Sequence, residues 1–175
     1  MNFLALAKKR CTTRGFSTKI IKPHVLDYIL AASRVAPSAC NKQPQRIIVV
    51  QTKDGLKKVE KAYKTFNSQC VLVVCQDKTN PLIRPYDGKC SGDLDIGIVC
   101  DHIMLAARDK NIGSVMIGLF DPGIIRAEFR IPDTIEPTAL LLLGYPEKCF
   151  LDMNRHKVER KPISETVQYE MYTDK

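Results

Sequence analysis

The stretch Pro37-Ser38-Ala39-Cys40-Asn41-Lys42-Gln43-Pro44-Gln45-Arg46-Ile47-Ile48-Val49-Val50 changes character midway. Its first half is polar and bounded by two prolines, so it reads as an ordered loop. Its second half opens RIIVVQT (46–52), a β-branched run that reads as a buried strand. Upstream, Pro23 suits the first turn of a helix. Val25, Leu26, Ile29, Leu30 and Ala32 keep helical spacing as far as Val35, and Pro37 stops the helix. Helix, polar loop and buried strand in succession point to a mixed architecture. Such a loop can aim its Ser, Asn and Gln groups at a flat heteroaromatic edge. It can equally spend them on its own backbone.

Working outward, the same reasoning covers the chain. Residues 2–10 form a short helix ending in Lys8, Lys9 and Arg10, and CTTRGFSTK reads as a loop around Gly15. Asp54 to Lys64 is an amphipathic helix with Leu56, Val59 and Ala62 inward, and VLVVC (71–75) is a second buried strand. Residues 77–92 carry two prolines and two glycines among polar groups, a surface excursion long enough to be a lid. From Asp93 to Asp109 the helix is apolar on most faces, so it is buried centrally or in a subunit interface. Ser114 to Ile117 is a strand. Asp121-Pro122 is a cap and first-turn pair opening a helix to about Arg130. TALLLLG (138–144) is a third clear strand. The basic remainder holds a short helix capped by Ser164 and including Glu165. With no repeat and no linker, the expectation is one α+β domain over residues 1–175, a central sheet covered by helices.

Composition bounds the function. The 175 residues are 45% hydrophobic and 26% charged, an ordinary globular mix. Lys and Arg number 27 against 19 Asp and Glu, leaving +8. That excess favours anions of any kind: nucleic acid, lipid headgroups or a phosphorylated cofactor. The 7 cysteines lack C-x-x-C spacing, and Cys75 and Cys100 sit in apolar runs, which suits a reducing cytoplasm. The N-terminal MNFLALAKKR has no basic region before its apolar stretch, unlike a signal peptide, and no apolar run is long enough to span a bilayer. The expectation is a soluble cytoplasmic protein without a membrane partner.

Several chemistries are missing. There is no G-x-G-x-x-G, no P-loop and no G-x-S-x-G elbow. His24, His102 and His156 lack metal spacing, so no metal is expected. An enzyme of this sequence would borrow its chemistry from an organic cofactor. Four segments carry a signal. RCTTRGF (10–16) puts two guanidiniums and two hydroxyls beside a glycine, groups that match phosphate oxygens, although basic turns usually face water. The PSACNKQP loop is the second. GSVMIGLFDP (113–122) ends a strand at a glycine, where backbone can approach a ligand or simply turn into a helix. RHKVERKP (155–162) is an anion clamp or a solvated tail.

In order and spacing these segments resemble the nitroreductase family of FMN-dependent oxidoreductases. The opening RCTTRGF is similar to that family's basic first motif, and APSACNKQPQRIIVV to its helix-loop-strand. DIGIVCDHIMLAA from Asp95, GSVMIGLFDP, and the closing GYPEK and RKP follow in register. The resemblance implies a nitroreductase-like fold with a mostly antiparallel sheet flanked by helices, and a homodimer with flavin at its interface. It implies that Arg10, Thr12, Arg160 and Lys161 hold the FMN phosphate. Arg14 would lie near the pyrimidine edge, and Pro37, Ser38, Ala39 and Asn41 would contact ring and ribityl chain. Met116 and Ile117 would lie at the ring, and the Gly118 N–H, with Leu119 beside it, would face flavin N5. Gly118 and Arg14 are thus the expected catalytic positions. Arg84, Tyr86 and Lys89 are the candidates to meet a substrate.

The activity implied is hydride transfer from NAD(P)H through flavin N5 to a small acceptor such as a nitroaromatic or quinone. Two other classes stand beside it: a flavin-binding or flavin-sensing protein without turnover, and a basic nucleic-acid-binding module. The second has only charge in its favour, since there is no Trp and no basic–aromatic interleaving, so no nucleic-acid partner is expected. Three departures from the family pattern stand out, one of them a 77–92 excursion that is short beside the flavin-covering insert of larger members. Cys11 replaces a common basic residue, and Gln45 stands where an aromatic usually follows Q-P.

Overall fold

A computed structural model describes residues 2–148 and 152–173. Cys149 lies outside the described residues. In chain order the elements are α1 (Phe3–Lys9), α2 (Pro23–Val35), a 3₁₀ turn (Ala39–Asn41), β1 (Gln45–Val50), α3 (Lys53–Ala62), β2 (Cys70–Asp77), α4 (Gly92–Asp109), β3 (Gly113–Ile117), α5 (Pro122–Phe129), β4 (Ile135–Gly144), α6 (Arg155–Val158) and α7 (Ile163–Thr166). The expected strands and longer helices are all present.

The sheet has the order β1-β2-β4-β3, and its three pairings are all antiparallel. Side chains alternate between its faces, and each face builds its own core. Leu72, Val74, Leu141 and Leu143 pack beneath Leu26, Ile29, Ile96 and Ile103 of α2 and α4. Val71, Val73, Leu140 and Leu142 pack beneath Val59 of α3 and Ile125 of α5. The result is three layers, helices on both sides of one sheet. β2 and β4 are central, and buried on both faces they read as continuous apolar runs rather than alternating ones.

Boundaries differ from the sequence reading where side chains override local pattern. β4 begins three residues early, through Pro137, which sits opposite Cys75 at a register shift after Val74. The irregularity there leaves room for a residue without an N–H. α3 is capped by Thr52, whose hydroxyl accepts from the Gly55 N–H at 3.1 Å, and it stops at Ala62 because Tyr63 turns extended. Ser164 is not a cap: α7 starts at Ile163 after Pro162, and Ser164 lies inside the helix. The Asp121 cap is as expected, its carboxylate accepting from the Ile124 N–H at 3.0 Å.

α4 fixes the distances that matter. Its buried side packs on α2 and the sheet, whereas Leu94 is 69% exposed, so the helix is central on one side and open on the other. α2 runs antiparallel to it: Tyr28 donates to Asp109 at 3.2 Å near one end, and Ala39 meets Asp95 at the other. With 18 residues, α4 is about 27 Å long. No helix among the described residues is long and apolar enough to cross a membrane.

Candidate active site

The basic segment after α1 is held against β3, an edge strand. Thr12 bridges Ser114 in parallel, and the Thr13 N–H donates to the Ser114 carbonyl at 3.0 Å. Gly113 permits this approach, since a Cβ there would stand 2.8–3.0 Å from the Thr13 side chain. Gly15 and Phe16 are then tied to Glu147 and Pro146. Arg10, Thr12 and Arg14 are thereby fixed at the backbone. Their side chains make no hydrogen bond or ion pair within the described residues. Thr12 and Arg14 are exposed and Arg10 is half-buried.

Further along β3, Met116 pairs with Leu141 and so points to the α2/α4 face, where it is 42% exposed at the sheet edge. Ile117 points the other way, into the α3/α5 core at 5% exposure, so only its backbone faces this edge. Gly118 and Leu119 end the strand in the open. A Cβ on Gly118 would meet nothing within 4 Å and its φ is not positive, so the fold itself does not demand glycine there.

The PSACNKQP loop is built at the N-terminal end of α4. Asp95, in the first turn of α4 and 2% exposed, accepts from the Ala39 N–H at 2.8 Å and from the Ser91 hydroxyl at 3.0 Å. Ser38 Oγ accepts from the Gln43 N–H at 2.9 Å. Cys40, Asn41 and Gln43 all take left-handed backbone, with φ of 48°, 53° and 50°. Part of the loop's polar capacity is therefore spent internally. Pro37 and Asn41 remain exposed, and Ser38 and Ala39 half-buried.

The 77–92 excursion is a closed hairpin. Ile83 bridges Cys90, the Arg84 N–H donates to the Lys89 carbonyl at 2.9 Å, and the Ser91 N–H to the Leu82 carbonyl at 3.0 Å. Gly88 turns it at a φ of 71°. Pairing puts Leu82, Arg84, Lys89 and Ser91 on one face, and together with Ala39, Cys90 and Leu94 they line a cavity of about 320 Å³. Tyr86 stands at the tip, 93% exposed and away from that cavity. Arg84 and Asp87 form a forked ion pair, with Nε to Oδ1 at 2.7 Å. It raises the guanidinium pKa and lowers that of the carboxyl, each through hydrogen bonding to the other.

The C-terminal basic segment returns to α1. Arg155 donates to the Arg10 carbonyl at 2.7 Å, and His156 Nε2 lies 3.0 Å from the Lys8 carbonyl. Arg160 and Lys161 are exposed between α6 and α7. Asp95, Ser114 and Arg155 are position-setting residues that the sequence reading missed. Asp95 had a visible signal, an acid opening an otherwise apolar helix. The contacts of Ser114 and Arg155 arise only on folding.

One chain therefore assembles two groups of sequence-predicted residues and keeps them apart. Arg10, Thr12, Arg14 and Met116–Leu119 line the β3 edge, and Pro37–Asn41 stand by the first turn of α4. The Nitroreductase family model matches residues 7–69 and 60–145 of this chain. The chain belongs to the nitroreductase family. A nitroreductase family protein from Clostridium difficile 630 is similar at 42% identity, with a TM-score of 0.95 over 98% of this chain and 100% of that one. A protein of Archaeoglobus fulgidus named "Putative NADH dehydrogenase/NAD(P)H nitroreductase" is 34% identical over 82% of this chain and 85% of its own. An FMN-dependent nitroreductase from Clostridium difficile R20291 shares the fold at 21% identity and a TM-score of 0.75, covering 97% of this chain and 100% of that one. Membership makes this nitroreductase-family chain an oxidoreductase.

Proposed function

We propose that this nitroreductase-family chain is an NAD(P)H-dependent flavin oxidoreductase that uses FMN to reduce a small nitroaromatic, quinone or similar acceptor. The observation that carries the reading is the open end of β3. Half-exposed Met116 on β3 and the unobstructed Gly118 backbone just after it stand beside the strand that anchors Arg10, Thr12 and Arg14, whose side chains are unengaged. Those residues fit the group. The guanidiniums and the hydroxyl suit a phosphate, the thioether suits a ring face, and a bare N–H suits the ring nitrogen that exchanges hydride.

The bound flavin would supply two-electron hydride chemistry. Arg10 and Thr12, with Arg160 and Lys161 from the C-terminal segment, would hold its phosphate. Arg14 would balance charge at its pyrimidine edge, and the Gly118 N–H would orient it. For a nitroaromatic the first turnover consumes NAD(P)H and one proton and yields the nitroso product, NAD(P)⁺ and water. The two groups of flavin-contacting residues lie toward opposite edges of the sheet, one on β3 and the other on the loop that leads into β1. That separation supports a homodimer in which the Pro37–Asn41 loop of one protomer completes the β3-edge site of the other. One domain over 1–175 is the unit proposed. The six described cysteines, all unpaired, support a reducing cytoplasmic setting.

The test is the visible spectrum of purified protein, with the flavin identified after denaturation, followed by anaerobic NADH or NADPH. Yellow protein that bleaches, and reoxidises on addition of an acceptor, is the expected result. Colourless protein that fails to take up FMN sinks the reading. Yellow protein that no nicotinamide bleaches points to a flavin-binding protein without turnover.

A further inference from the structure

The hairpin cavity has a chemistry of its own. Its walls are largely apolar, from Ala39, Leu82 and Leu94, and two cations stand over them, Arg84 and Lys89. These cations differ. The Arg84 guanidinium is already forked onto Asp87, and Asp87 also accepts the Lys89 backbone N–H at 3.2 Å. Arg84 is therefore neutralised and held still as a wall. The Lys89 ammonium makes no ion pair within the described residues, and it leaves the cavity with one uncompensated positive charge. Cys90 is exposed beside the cavity, and its sulfur accepts from the Gly92 N–H at 3.4 Å and from Gln76 Nε2 at 3.6 Å. The volume, about 320 Å³, lies at the small end of ligand pockets. It suits a single ring better than a fused system. Ala39 joins this cavity to the loop that the proposed function brings to the flavin.

We propose that this cavity selects small single-ring acceptors that carry an acid group, with the ring against Leu82 and Leu94 and the anion on Lys89. The inference rests on the oxidoreductase reading for turnover, but its binding part does not. An exposed ion pair of this kind changes an equilibrium by up to about fivefold at moderate salt. The selectivity ratio is therefore the quantity to measure.

The experiment compares 4-nitrobenzoate with uncharged 4-nitrobenzyl alcohol as acceptors for the purified holoenzyme, at low and high salt. Wild type is expected to favour the acid in kcat/KM by about fivefold, mostly through KM, with the preference shrinking as salt rises. Lys89→Glu is expected to invert the ratio. Lys57→Ala, which removes a cation from α3 on the other face of the sheet, is expected to preserve it. A parallel calorimetric titration of 4-nitrobenzoate into oxidised protein, wild type and Lys89→Glu, needs no turnover. Binding weakened by Lys89→Glu supports the inference even if the nicotinamide or flavin assignment fails. Equal ratios in wild type and Lys89→Glu, or acid binding indifferent to the variant, overturn it while leaving the flavin reading intact.

Discussion

Replacing Asp95 tests how the site is held. Asp95 is nearly buried and accepts two hydrogen bonds, from the Ala39 N–H at 2.8 Å and the Ser91 hydroxyl at 3.0 Å. Asp95→Ala leaves both donors without a partner. An unsatisfied buried polar group costs about 1–3 kcal/mol, and both donors are half-buried, so the combined loss should be about 2–4 kcal/mol. For a chain of this size each kcal/mol lowers Tm by about 2–4 °C, which gives a drop of roughly 5–15 °C. Asp95→Asn has the same shape. Its Oδ1 can accept from Ala39 while its amide donates to the Ser91 oxygen, so its loss should stay at about 1 kcal/mol or below. The assay is thermal unfolding by circular dichroism alongside flavin content after gel filtration. Asp95→Ala should lose flavin more readily than its stability loss alone accounts for, because the loop with Ser38, Ala39 and Asn41 comes free. Asp95→Asn should retain it. If the two variants match within about 0.5 kcal/mol, the hydrogen bonds are not what holds the loop.

Gly113, which opens β3, and Gly118, which follows its last residue, should behave oppositely. Gly113→Ala places a Cβ within 3.0 Å of the Thr13 side chain, itself buried, and should cost about 1–3 kcal/mol in a denaturant titration. Gly118→Ala meets nothing within the chain, so its unfolding midpoint should be unchanged while FMN affinity falls in a fluorescence titration. Unchanged FMN affinity would remove Gly118 from the flavin site. Burial pushes the Cys70 and Cys100 thiols up to about 12 and Cys75 to about 11. Native alkylation at pH 8, mapped by mass spectrometry, should therefore label exposed Cys40 and Cys90 and spare these three. In the unfolded chain those thiols ionise near 9, so they lower stability as pH rises from about 9 towards 11–12 and leave it unaffected below that window. Unchanged stability between pH 8 and pH 10.5 would contradict this.

Much of this protein was legible without coordinates. β-branched runs bounded by turn residues placed the strands, and proline and aspartate placed the starts of α2 and α5. These are local effects of sterics and capping, which is why they survive in a bare sequence. The order of the motifs carried the family. The errors fell where tertiary contacts outweigh local preference. Pro137 is tolerated in a central strand by a register shift, which moved the start of β4. The 77–92 stretch is the surface excursion expected, but its hairpin pairing is announced by no periodicity.

The sequence alone therefore determined the helices, the strands and the residue types able to meet a phosphorylated flavin, because those follow from near neighbours along the chain. It did not determine where they meet. Long-range packing set Arg10 to Arg14 on β3 through Ser114 and Gly113, and it put the Pro37–Asn41 loop at the N-terminal end of α4 through a buried Asp95. It also chose between Tyr86, left in solvent, and Arg84 and Lys89, brought onto a cavity. Distances across the fold depend on contacts between residues far apart in the chain, and spacing along the sequence carries no record of them.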